Sequence, residues 1–362
     1  MTESEAMDHA LAIAWRGWGR VHPNPMVGAV VLRDGAAVGQ GAHERFGGPH
    51  AEVVALGEAG PRAQGATMVV TLEPCRHHGK QPPCVDAIVA AGVRRVLFGA
   101  GDPNPDAGGG AAALAAAGIE VARLPVADRV AGQNAAFFHA HRDTSRPFVA
   151  LKLATSVDAR VADYTGRARW ISGPAAREWV HWLRAGFDAI GVGGRTARTD
   201  NPSLTVRGSV IPRVPPRRVV FDRQGDLDGA GLLVETAATV PVLLVTEAPL
   251  TAARAAAMAA AGVTVVVAHG LADALGRLRE EGIRSVLVEG GGRLAARLMG
   301  HGLVDRFYWV QSPLWLGEGG MPAFAGLGGS LLEQAARWRV VDRQALGEDT
   351  LLVLDRPVEE GD

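Results

Sequence analysis

The first part of the chain alternates short apolar runs with segments of helical periodicity. Apolar runs rich in β-branched residues are typical of buried strands, and apolar positions three or four residues apart are typical of helices that cover a core. Because strands that alternate with helices build layers around one sheet, we predict an α/β domain here. The predicted elements are a helix from about Ser4, a strand at 26–32, a helix at 51–60, a strand at 67–74, a helix at 84–93, a strand at 94–100 and a helix at 109–117.

A polar stretch, HAHRDTSRPF (139–148), interrupts this alternation, and its charges and its proline are typical of a linker. The alternation then restarts, which predicts a second α/β domain. We therefore predict a first domain at 1–145 and a second at 146–362. The second is expected to contain strands at 149–162, 187–194, 217–222, 240–246, 263–268, 285–292, 304–311, 337–342 and 350–355, and helices at 174–186, 272–282 and 293–302.

Composition narrows the class of protein. With 362 residues the chain is long enough for two domains, and a hydrophobic content of 48% is enough for two ordinary cores. A formal net charge of −1 without a basic stripe argues against a nucleic-acid partner. The chain has no apolar run of membrane-spanning length, and its acidic start lacks the basic region of a secretory signal. We therefore expect a cytoplasmic protein that binds neither membranes nor nucleic acids.

Four residues point to a catalytic zinc site: His50, Glu52 and the only two cysteines, Cys75 and Cys84. Catalytic zinc takes three protein ligands and leaves a fourth position for water, whose pKa it lowers to about 7. One imidazole and two thiolates supply three ligands, so we predict one zinc ion per chain, bound by His50, Cys75 and Cys84. Glu52 has no ligand role in this arrangement and is predicted to be the catalytic proton shuttle.

Each of these residues also has a simpler interpretation. Two cysteines can form a disulfide or remain buried thiols, a lone histidine is more often a core or loop residue, and a lone Glu52 is typical of a solvated helix start. His77 and His78 lie between the cysteines and could be additional ligands, but they would fill the position that catalysis needs open. A structural zinc site is a further alternative, although such sites are closed by four ligands.

The spacing of the cysteines is unusual for a zinc deaminase. Zinc deaminases that act on cytosine or adenine carry H-x-E followed by P-C-x-x-C. Here the eight residues RHHGKQPP separate Cys75 from Cys84. This insert includes Lys80, which with Lys152 is one of only two lysines in the chain, so a mere surface role is not expected for either.

These motifs resemble the bifunctional deaminase–reductase family of riboflavin biosynthesis. The long insert between the cysteines is the most specific part, and the resemblance runs along the whole chain. In the first half it rests on HPNPMVGAVV (22–31), PHAEVVAL (49–56), TLEPCRHHGKQPPCVDAI (71–88) and GDPNPDAGGG (101–110). In the second half it rests on KLATSVDAR (152–160), RWISG (169–173), TDNPSLTVR (199–207) and VEGGG (288–292).

The resemblance implies fold, chemistry and partners. It implies an N-terminal cytidine-deaminase-like α/β/α sandwich and a C-terminal dihydrofolate-reductase-like α/β domain. The implied reactions are zinc-dependent hydrolytic deamination of 2,5-diamino-6-(ribosylamino)pyrimidinone 5′-phosphate, then NADPH-dependent reduction of the ribosyl group to ribityl. The expected partner is this phosphorylated pyrimidine, and we expect a homo-oligomer. The alternative is a deaminase whose C-terminal domain binds ligand without reducing it.

A glycine-rich turn in SVLVEGGGRLAARL (285–298) connects a predicted strand to a predicted helix. Backbone N–H groups at such a helix start can hold a phosphate. A plain tight turn fits the pattern equally well, and the motif is not the G-x-G-x-x-G of dinucleotide-binding domains. The resemblance favours a cofactor site at this turn.

The resemblance also carries site residues over. Asn24 would hydrogen-bond the deaminase substrate, and its alternative is an Asx turn between the flanking prolines. Arginine suits bidentate phosphate binding, although surface ion pairs are the common alternative in an arginine-rich chain. The implied cofactor contacts are Ala154, Trp170, Thr196, Asp200, Gly291, Gly292 and Arg293. The implied substrate contacts in the reductase half are Lys152, Arg184, Leu204, Arg207 and Glu289.

Two positions depart from the family pattern. Ala168 stands where related enzymes often carry a polar residue that contacts substrate, which puts that contact in doubt. Arg223 stands where a small serine is usual beside the cofactor. An arginine there is predicted to be able to meet the 2′-phosphate of NADPH.

Overall fold

The computed structural model describes residues 1–227 and 229–357. The chain divides after Arg142 into two compact units, each with its own sheet and its own hydrophobic core. In the described part of the chain, no helix combines the length and the apolar character needed to cross a membrane.

The first unit is built around one sheet with helices on both faces. Its helices are α1 (Glu3–Ala14), α2 (Ala51–Ala59), α3 (Cys84–Ala90), α4 (Gly110–Ala116), α5 (Ala127–Gln133) and α6 (Ala135–Arg142), and its strands are β1 (Gly28–Arg33), β2 (Ala36–Ala42), β3 (Thr67–Leu72), β4 (Arg95–Ala100) and β5 (Glu120–Arg123). The strand order is β2-β1-β3-β4-β5, with β1 antiparallel to both neighbours and β3, β4 and β5 parallel. Helices α2, α3 and α4 pack on one face, and α1 and α5 pack on the other.

Two glycines allow unusually close backbone contacts that fix the start of α2 and the loop after β3. A Cβ atom at Gly41 would lie 2.4 Å from the carbonyl oxygen of Ala51, so only glycine lets β2 approach α2 this closely. A Cβ atom at Gly110 would lie 1.7 Å from the carbonyl oxygen of Pro74. The loop that carries Cys75, the residue after Pro74, therefore packs against the start of α4.

The elements predicted for the first unit are present, and several others were not predicted. Strand β2 has the sequence AAVGQGA, whose small residues give no alternating apolar signal. The predicted linker at 139–148 is partly helical, because α6 runs to Arg142 and its Phe137 and Phe138 pack against the core beneath α1 and α5. The two units consequently divide a few residues before the predicted boundary.

The second unit contains one large mixed sheet. Its strands are β6 (Phe148–Thr155), β7 (Arg160–Ala162), β8 (Ala189–Gly193), β9 (Arg217–Phe221), β10 (Val242–Thr246), β11 (Val263–Val267), β12 (Ser285–Val288), β13 (Arg306–Gln311), β14 (Met321–Pro322), β15 (Arg339–Leu346) and β16 (Asp349–Asp355), and its helices are α7 (Pro174–Arg184), α8 (Gly194–Asp200), α9 (Leu232–Glu235), α10 (Ala252–Ala260), α11 (Leu271–Glu280) and α12 (Gly292–Gly300). Over the described residues, the sheet order is β11-β10-β9-β8-β12-β6-β13-β16-β15, and β14 pairs with β7.

Strands β11 to β13 in this order are mutually parallel, and the hairpin β15–β16 is added antiparallel to β13. In an open parallel sheet, ligands bind at the carboxyl ends of the strands where the strand order reverses. The order reverses here around β12, which comes late in the chain yet lies between β8 and β6. The carboxyl ends of β6, β8 and β12 are therefore the expected binding edge.

Two cores cover the sheet, one with α11 and α12 and the other with α8, α9 and α10. The region predicted as one strand at 149–162 is two strands, β6 and β7, separated by a turn at Ser156–Ala159. Helix α10 was not predicted because its sequence AARAAAMAA has no polar face, although alanine is the strongest helix former.

Separate cores predict separate folding. We expect residues 1–142 and residues 143–362, expressed apart, to be two soluble fragments, each with one cooperative thermal transition by circular dichroism. A fragment cut between β3 and β4 serves as the control and is expected to aggregate, because it divides a sheet. Aggregation of both fragments cut after Arg142 would show that this division is wrong.

Candidate active sites

The three predicted zinc ligands meet at one point in the first unit. His50 is the residue preceding α2, Cys75 lies in the loop that follows β3, and Cys84 is the first residue of α3. The Nδ1 atom of His50 lies 3.2 Å from the sulfur of Cys84 and 3.5 Å from the sulfur of Cys75. The three ligand atoms all lie within 4.8 Å of one another, and the cysteines form no disulfide.

The donor set calls for a bound cation. The Cys75 sulfur accepts a hydrogen bond from the Cys84 thiol, which lowers the pKa of Cys75 to about 4. The same hydrogen bond, together with burial, raises the pKa of Cys84. Of the two thiols, Cys75 therefore ionises more readily than Cys84. Zinc binds thiolates and imidazole together, so these residues fit a zinc ion.

Glu52 is placed for proton transfer beside this cluster. It lies in the first turn of α2, its side chain is buried with 4% exposure, and it hydrogen-bonds with Cys84. Burial raises the pKa of Glu52. A carboxyl group whose pKa is raised can both take and return a proton near neutral pH.

His43 was not singled out from the sequence, and the structure places it beside Asn24. Its Nδ1 lies 3.1 Å from the carbonyl oxygen of Pro49, so this nitrogen carries the proton and donates. Its Nε2 must then accept, and it lies 3.4 Å from the side-chain nitrogen of Asn24. His43 is buried, and burial lowers its pKa. A histidine in AHERFGG carries no sequence signal for this role.

A pocket in the first unit joins these residues into one cavity. It also contains Lys80, whose ammonium lies 4.2 Å from the centre of the Phe46 ring, and Asp102, whose pKa burial raises to about 6. Polar and charged groups therefore surround the predicted zinc site. Those lining the pocket include Asn24, His43, His50, Glu52, Glu73, Cys75, His77, Lys80, Gln81, Asp102 and Asn104.

In the second unit, three predicted substrate contacts form a charged cluster at the carboxyl ends of β6 and β12. Arg184, the last residue of α7, makes two hydrogen bonds to the Glu289 carboxylate, with distances of 2.5 and 2.9 Å. Both side chains are largely buried. Lys152 lies in the same electrostatic environment, since Glu289 raises and Arg184 lowers its pKa, while burial lowers it most.

The predicted cofactor residues fall into two groups. Thr196, in the first turn of α8, lies beside Gly291, because a Cβ atom at Gly291 would be 3.3 Å from the Thr196 hydroxyl. Gly291 directly precedes α12, and Gly292 is its first residue. Ala154 lies on β6, two residues after Lys152. These residues line the binding edge expected from the strand order.

Most of the remaining predicted cofactor and substrate contacts of the second unit are exposed or half-buried. Trp170 is 67% exposed and packs against the Arg177 guanidinium, while Arg207 and Arg293 are exposed. Asp200 is half-buried at the end of α8, and its carbonyl oxygen accepts from Arg169. By contrast, the Leu204 side chain is 3% exposed and belongs to a core cluster, so it packs against protein rather than facing a cavity.

The two departures from the family pattern are both at the surface. Ala168 is exposed. Arg223 follows β9, and its guanidinium lies 2.9 Å from the Glu247 carboxylate, which also lies 3.7 Å from Arg297. Two arginines consequently share one carboxylate at the carboxyl ends of β9 and β10.

Two protein families match the chain. Residues 147–352 match the family described as "RibD C-terminal domain", and residues 1–100 match "Cytidine and deoxycytidylate deaminase zinc-binding region". The first match lies within the second unit and the second match within the first.

Relatives of known function are similar over nearly the full chain. The "Riboflavin biosynthesis protein RibD" of Aquifex aeolicus is 37% identical over 353 residues, which is 97% of each chain. The protein with the same name from Escherichia coli is 36% identical over 385 aligned residues, covering 98% of this chain and 99% of that one.

Solved structures agree with these relatives. Acinetobacter baumannii RibD, form 1, superposes with a TM-score of 0.82 at 34% identity, covering 98% of this chain and 99% of that one. A Thermotoga maritima protein described as a diaminohydroxyphosphoribosylaminopyrimidine deaminase/5-amino-6-(5-phosphoribosylamino)uracil reductase superposes with a TM-score of 0.81, also at 34% identity and with the same coverage. Both similarities span both units.

The ligand geometry predicts one zinc ion per chain. Elemental analysis of the purified protein is expected to find about one equivalent, and Cys75→Ser and Cys84→Ser are each expected to lose it, because two protein ligands hold zinc far more weakly than three. His78→Ala is the control: His78 is exposed and does not belong to the ligand cluster, so zinc should remain. Full zinc occupancy in either serine variant would contradict the shared site.

Proposed function

The chain belongs to the RibD family of bifunctional deaminase–reductases of riboflavin biosynthesis, and from this premise we propose how its two sites act on one phosphorylated pyrimidine. The proposed first substrate is 2,5-diamino-6-(ribosylamino)pyrimidinone 5′-phosphate. The first unit removes an exocyclic amine by hydrolysis. The second then reduces the ribosyl group of the deaminated product to ribityl, with NADPH as the nicotinamide cofactor.

In the deaminase site, we assign zinc binding to His50, Cys75 and Cys84. When bound, zinc supplies a water molecule acidic enough to be deprotonated near neutral pH. Glu52 accepts that proton and delivers it to the ring nitrogen, and it then passes the second proton of the water to the departing amine, which leaves as ammonia. The raised pKa of Glu52 suits this role, because the carboxyl group must take up and release protons in each turnover.

Asn24 and Lys80 are proposed to orient the substrate. Since the His43 ring accepts from the Asn24 side chain, the amide is fixed with its oxygen available to a ring N–H or amine of the pyrimidine. Lys80 brings a positive charge to the pocket, where it suits the substrate phosphate. Both residues line the same cavity as Glu52.

In the reductase site, the charged cluster is proposed to hold the sugar phosphate while the cofactor supplies the hydride. Lys152 is assigned to polarise the reacting sugar oxygen, and Arg184, Arg207 and Glu289 to bind the substrate. Because Glu289 holds the Arg184 guanidinium with two hydrogen bonds, the group is already oriented before ligand binds. Such orientation lowers the entropy cost of binding.

Cofactor binding is assigned to the cleft between the first turns of α8 and α12, with Thr196, Gly291, Gly292 and Arg293 near the phosphates. Asp200, Ala154 and Trp170 complete the proposed contacts, and the assignment of Leu204 to the substrate is restricted to its backbone because its side chain is buried. Arg223 is assigned to the 2′-phosphate of NADPH, which requires that the phosphate displace Glu247 as its partner.

One observation carries the proposed function: three zinc-type ligand atoms within 4.8 Å of one another, beside a buried glutamate. The decisive experiment supplies the pyrimidine and NADPH to the zinc-loaded protein and follows ammonia release and NADPH loss separately. Both signals are expected. Ammonia release without NADPH loss would support the alternative of a C-terminal domain that binds ligand without reducing it.

Replacing Glu52 by glutamine is expected to abolish deamination while zinc remains bound, because the amide keeps the shape of the side chain but cannot shuttle protons. The rate of ammonia release should fall by roughly 100-fold or more. Glu58→Gln, on the same helix, is the control and should keep its activity, because Glu58 is exposed and its carboxylate accepts a hydrogen bond from the Gln40 backbone. Near-normal turnover of the Glu52 variant would refute the assigned role.

Replacing Gly291 by valine is expected to weaken NADPH binding by roughly 10- to 1,000-fold, because the new side chain would fill the cleft beside Thr196. A fluorescence titration measures this affinity, and ammonia release should stay normal since deamination needs no nicotinamide. Gly328→Val is the matched control, because a Cβ atom there meets no neighbour within 4 Å. Unchanged NADPH affinity would place the cofactor elsewhere.

A further inference from the structure

Asp349 begins strand β16 directly after a turn in the sequence GED, where only an ordinary turn residue is expected. Its side chain is 2% exposed, so a carboxylate is held inside the second unit. Its Oδ2 atom accepts a hydrogen bond of 2.7 Å from the backbone N–H of Gly173. Gly173 precedes α7, so the carboxylate lies at the N-terminus of that helix, where a negative charge is favourable.

Strand register places Asp349 on the same face of the sheet as Lys152. Tyr308 on β13 pairs with Lys152 on β6 and with Val353 on β16. Paired residues on neighbouring strands share a face, and residues two apart along one strand do too. Asp349 lies four residues before Val353, so it points to the face that carries Lys152 and Tyr308.

Helix α7 covers this face and joins Asp349 to the reductase cluster. The Trp179 ring of α7 contacts the Tyr308 ring with their centres 5.7 Å apart. The helix begins at the Asp349 carboxylate and ends at Arg184, which binds Glu289. One turn earlier, His181 accepts a hydrogen bond from the backbone N–H of Arg207. The position of α7 thus controls several residues of the proposed substrate site.

We propose that Asp349 is a positioning residue of the reductase site: its buried carboxylate anchors the start of α7 and contributes a negative charge on the sheet face that carries Lys152. This inference rests on the proposed function of Lys152. The charged groups that act on Lys152 are Glu289, Arg184 and Asp349, from the loop after β12, from α7 and from β16, with Tyr308 as its neighbour on β13. Two positive and two negative side chains in this part of the second unit therefore offset one another's charge.

The sign of the electrostatic effect follows from these partners. Burial lowers the pKa of Lys152, while Glu289 and Asp349 raise it. Removing the charge of Asp349 should therefore lower the pKa of Lys152 further, so that the ammonium loses its proton at a lower pH. Asp349→Asn removes the negative charge but keeps the hydrogen bond, because the asparagine oxygen can still accept from the Gly173 N–H.

The chain offers a direct measurement, because Lys80 and Lys152 are its only lysines. Incorporation of lysine labelled with ¹³C at Cε gives two NMR signals, which Lys80→Arg assigns. In the full-length zinc-loaded protein, Asp349→Asn is expected to move the Lys152 titration to lower pH and to leave the Lys80 titration unchanged. An unchanged Lys152 titration would overturn the proposal whether or not the protein reduces the pyrimidine.

The matched control is Asp188→Asn. Asp188 also binds backbone N–H groups in the second unit, accepting from Arg284 and Ser285 at 2.8 and 3.0 Å, but it lies at the amino end of β12. Its replacement should leave the Lys152 titration in place. A shift of equal size in both variants would mean that any buried change disturbs Lys152, and the proposal would fail.

Kinetics test the anchoring role. In Asp349→Asn, the alkaline limb of kcat/KM for pyrimidine reduction is expected to move down with the Lys152 titration, while ammonia release is unchanged. Asp349→Ala removes the acceptor as well, and its KM for the pyrimidine should rise roughly tenfold, because the Gly173 N–H loses its partner. A shifted Lys152 titration without any change in the reductase pH profile would refute the proposed function of Lys152 and not the electrostatic influence of Asp349 on it.

If Asp349→Asn fails to fold, Asp349→Glu keeps the charge but displaces the acceptor. The Lys152 titration should then stay close to that of the wild type while kcat/KM for reduction falls several-fold. Wild-type kcat/KM in the glutamate variant would overturn the anchoring role.

Discussion

Helix N-termini lying at the carboxyl ends of strands are the arrangement on which both sites depend. In the first unit, His50 and Cys84 occupy the starts of α2 and α3 while Cys75 follows β3. In the second, α7, α8 and α12 begin near the ends of β6, β8 and β12. Backbone N–H groups that lack a partner within the helix, and the positive end of the helix dipole, favour anions at these points. Thiolates and carboxylates are therefore less costly to bury at these points, and the same would hold for the phosphates of the proposed ligands.

The two sites balance their buried charge by different means. In the deaminase site, two thiols and an imidazole crowd together, and a bound cation would favour ionisation of both sulfurs. The proposed zinc ion would supply the balancing positive charge. In the reductase site, lysine and arginine are matched by Glu289 and Asp349, so the chain supplies its own balance. The proposed balance of the first site therefore involves a metal, and that of the second involves the register of β16 and the position of α7.

The sequence was sufficient for much of the fold and for the metal centre. The three predicted ligands and Glu52 could be proposed because their residue types and order have few other uses together, and the structure brings the three ligand atoms together with Glu52 beside Cys84. Strands with continuous β-branched runs were located well, whereas β2 was not, because its small residues serve the approach of α2 instead of an apolar face. His43 and Asp349 could not be found, because each acts through a partner distant in sequence. A buried aspartate in GED and an exposed one have the same local pattern, and only strand register distinguishes them.

Leu204 shows that a match to a family motif does not establish a side-chain contact with a ligand. A residue carried over from a family motif need not present its side chain to a ligand, and here the side chain fills a core while the backbone takes a left-handed conformation, with φ of 49°. The preceding Asn201 is also left-handed, and its side chain accepts from the Leu232 backbone. The segment from 201 to 207 is thus shaped by packing at Leu204 and by hydrogen bonds at both ends, at Leu232 and at His181. Motif identity at such a position reflects the path of the backbone, so a ligand contact proposed for Leu204 rests on its backbone and not on its side chain.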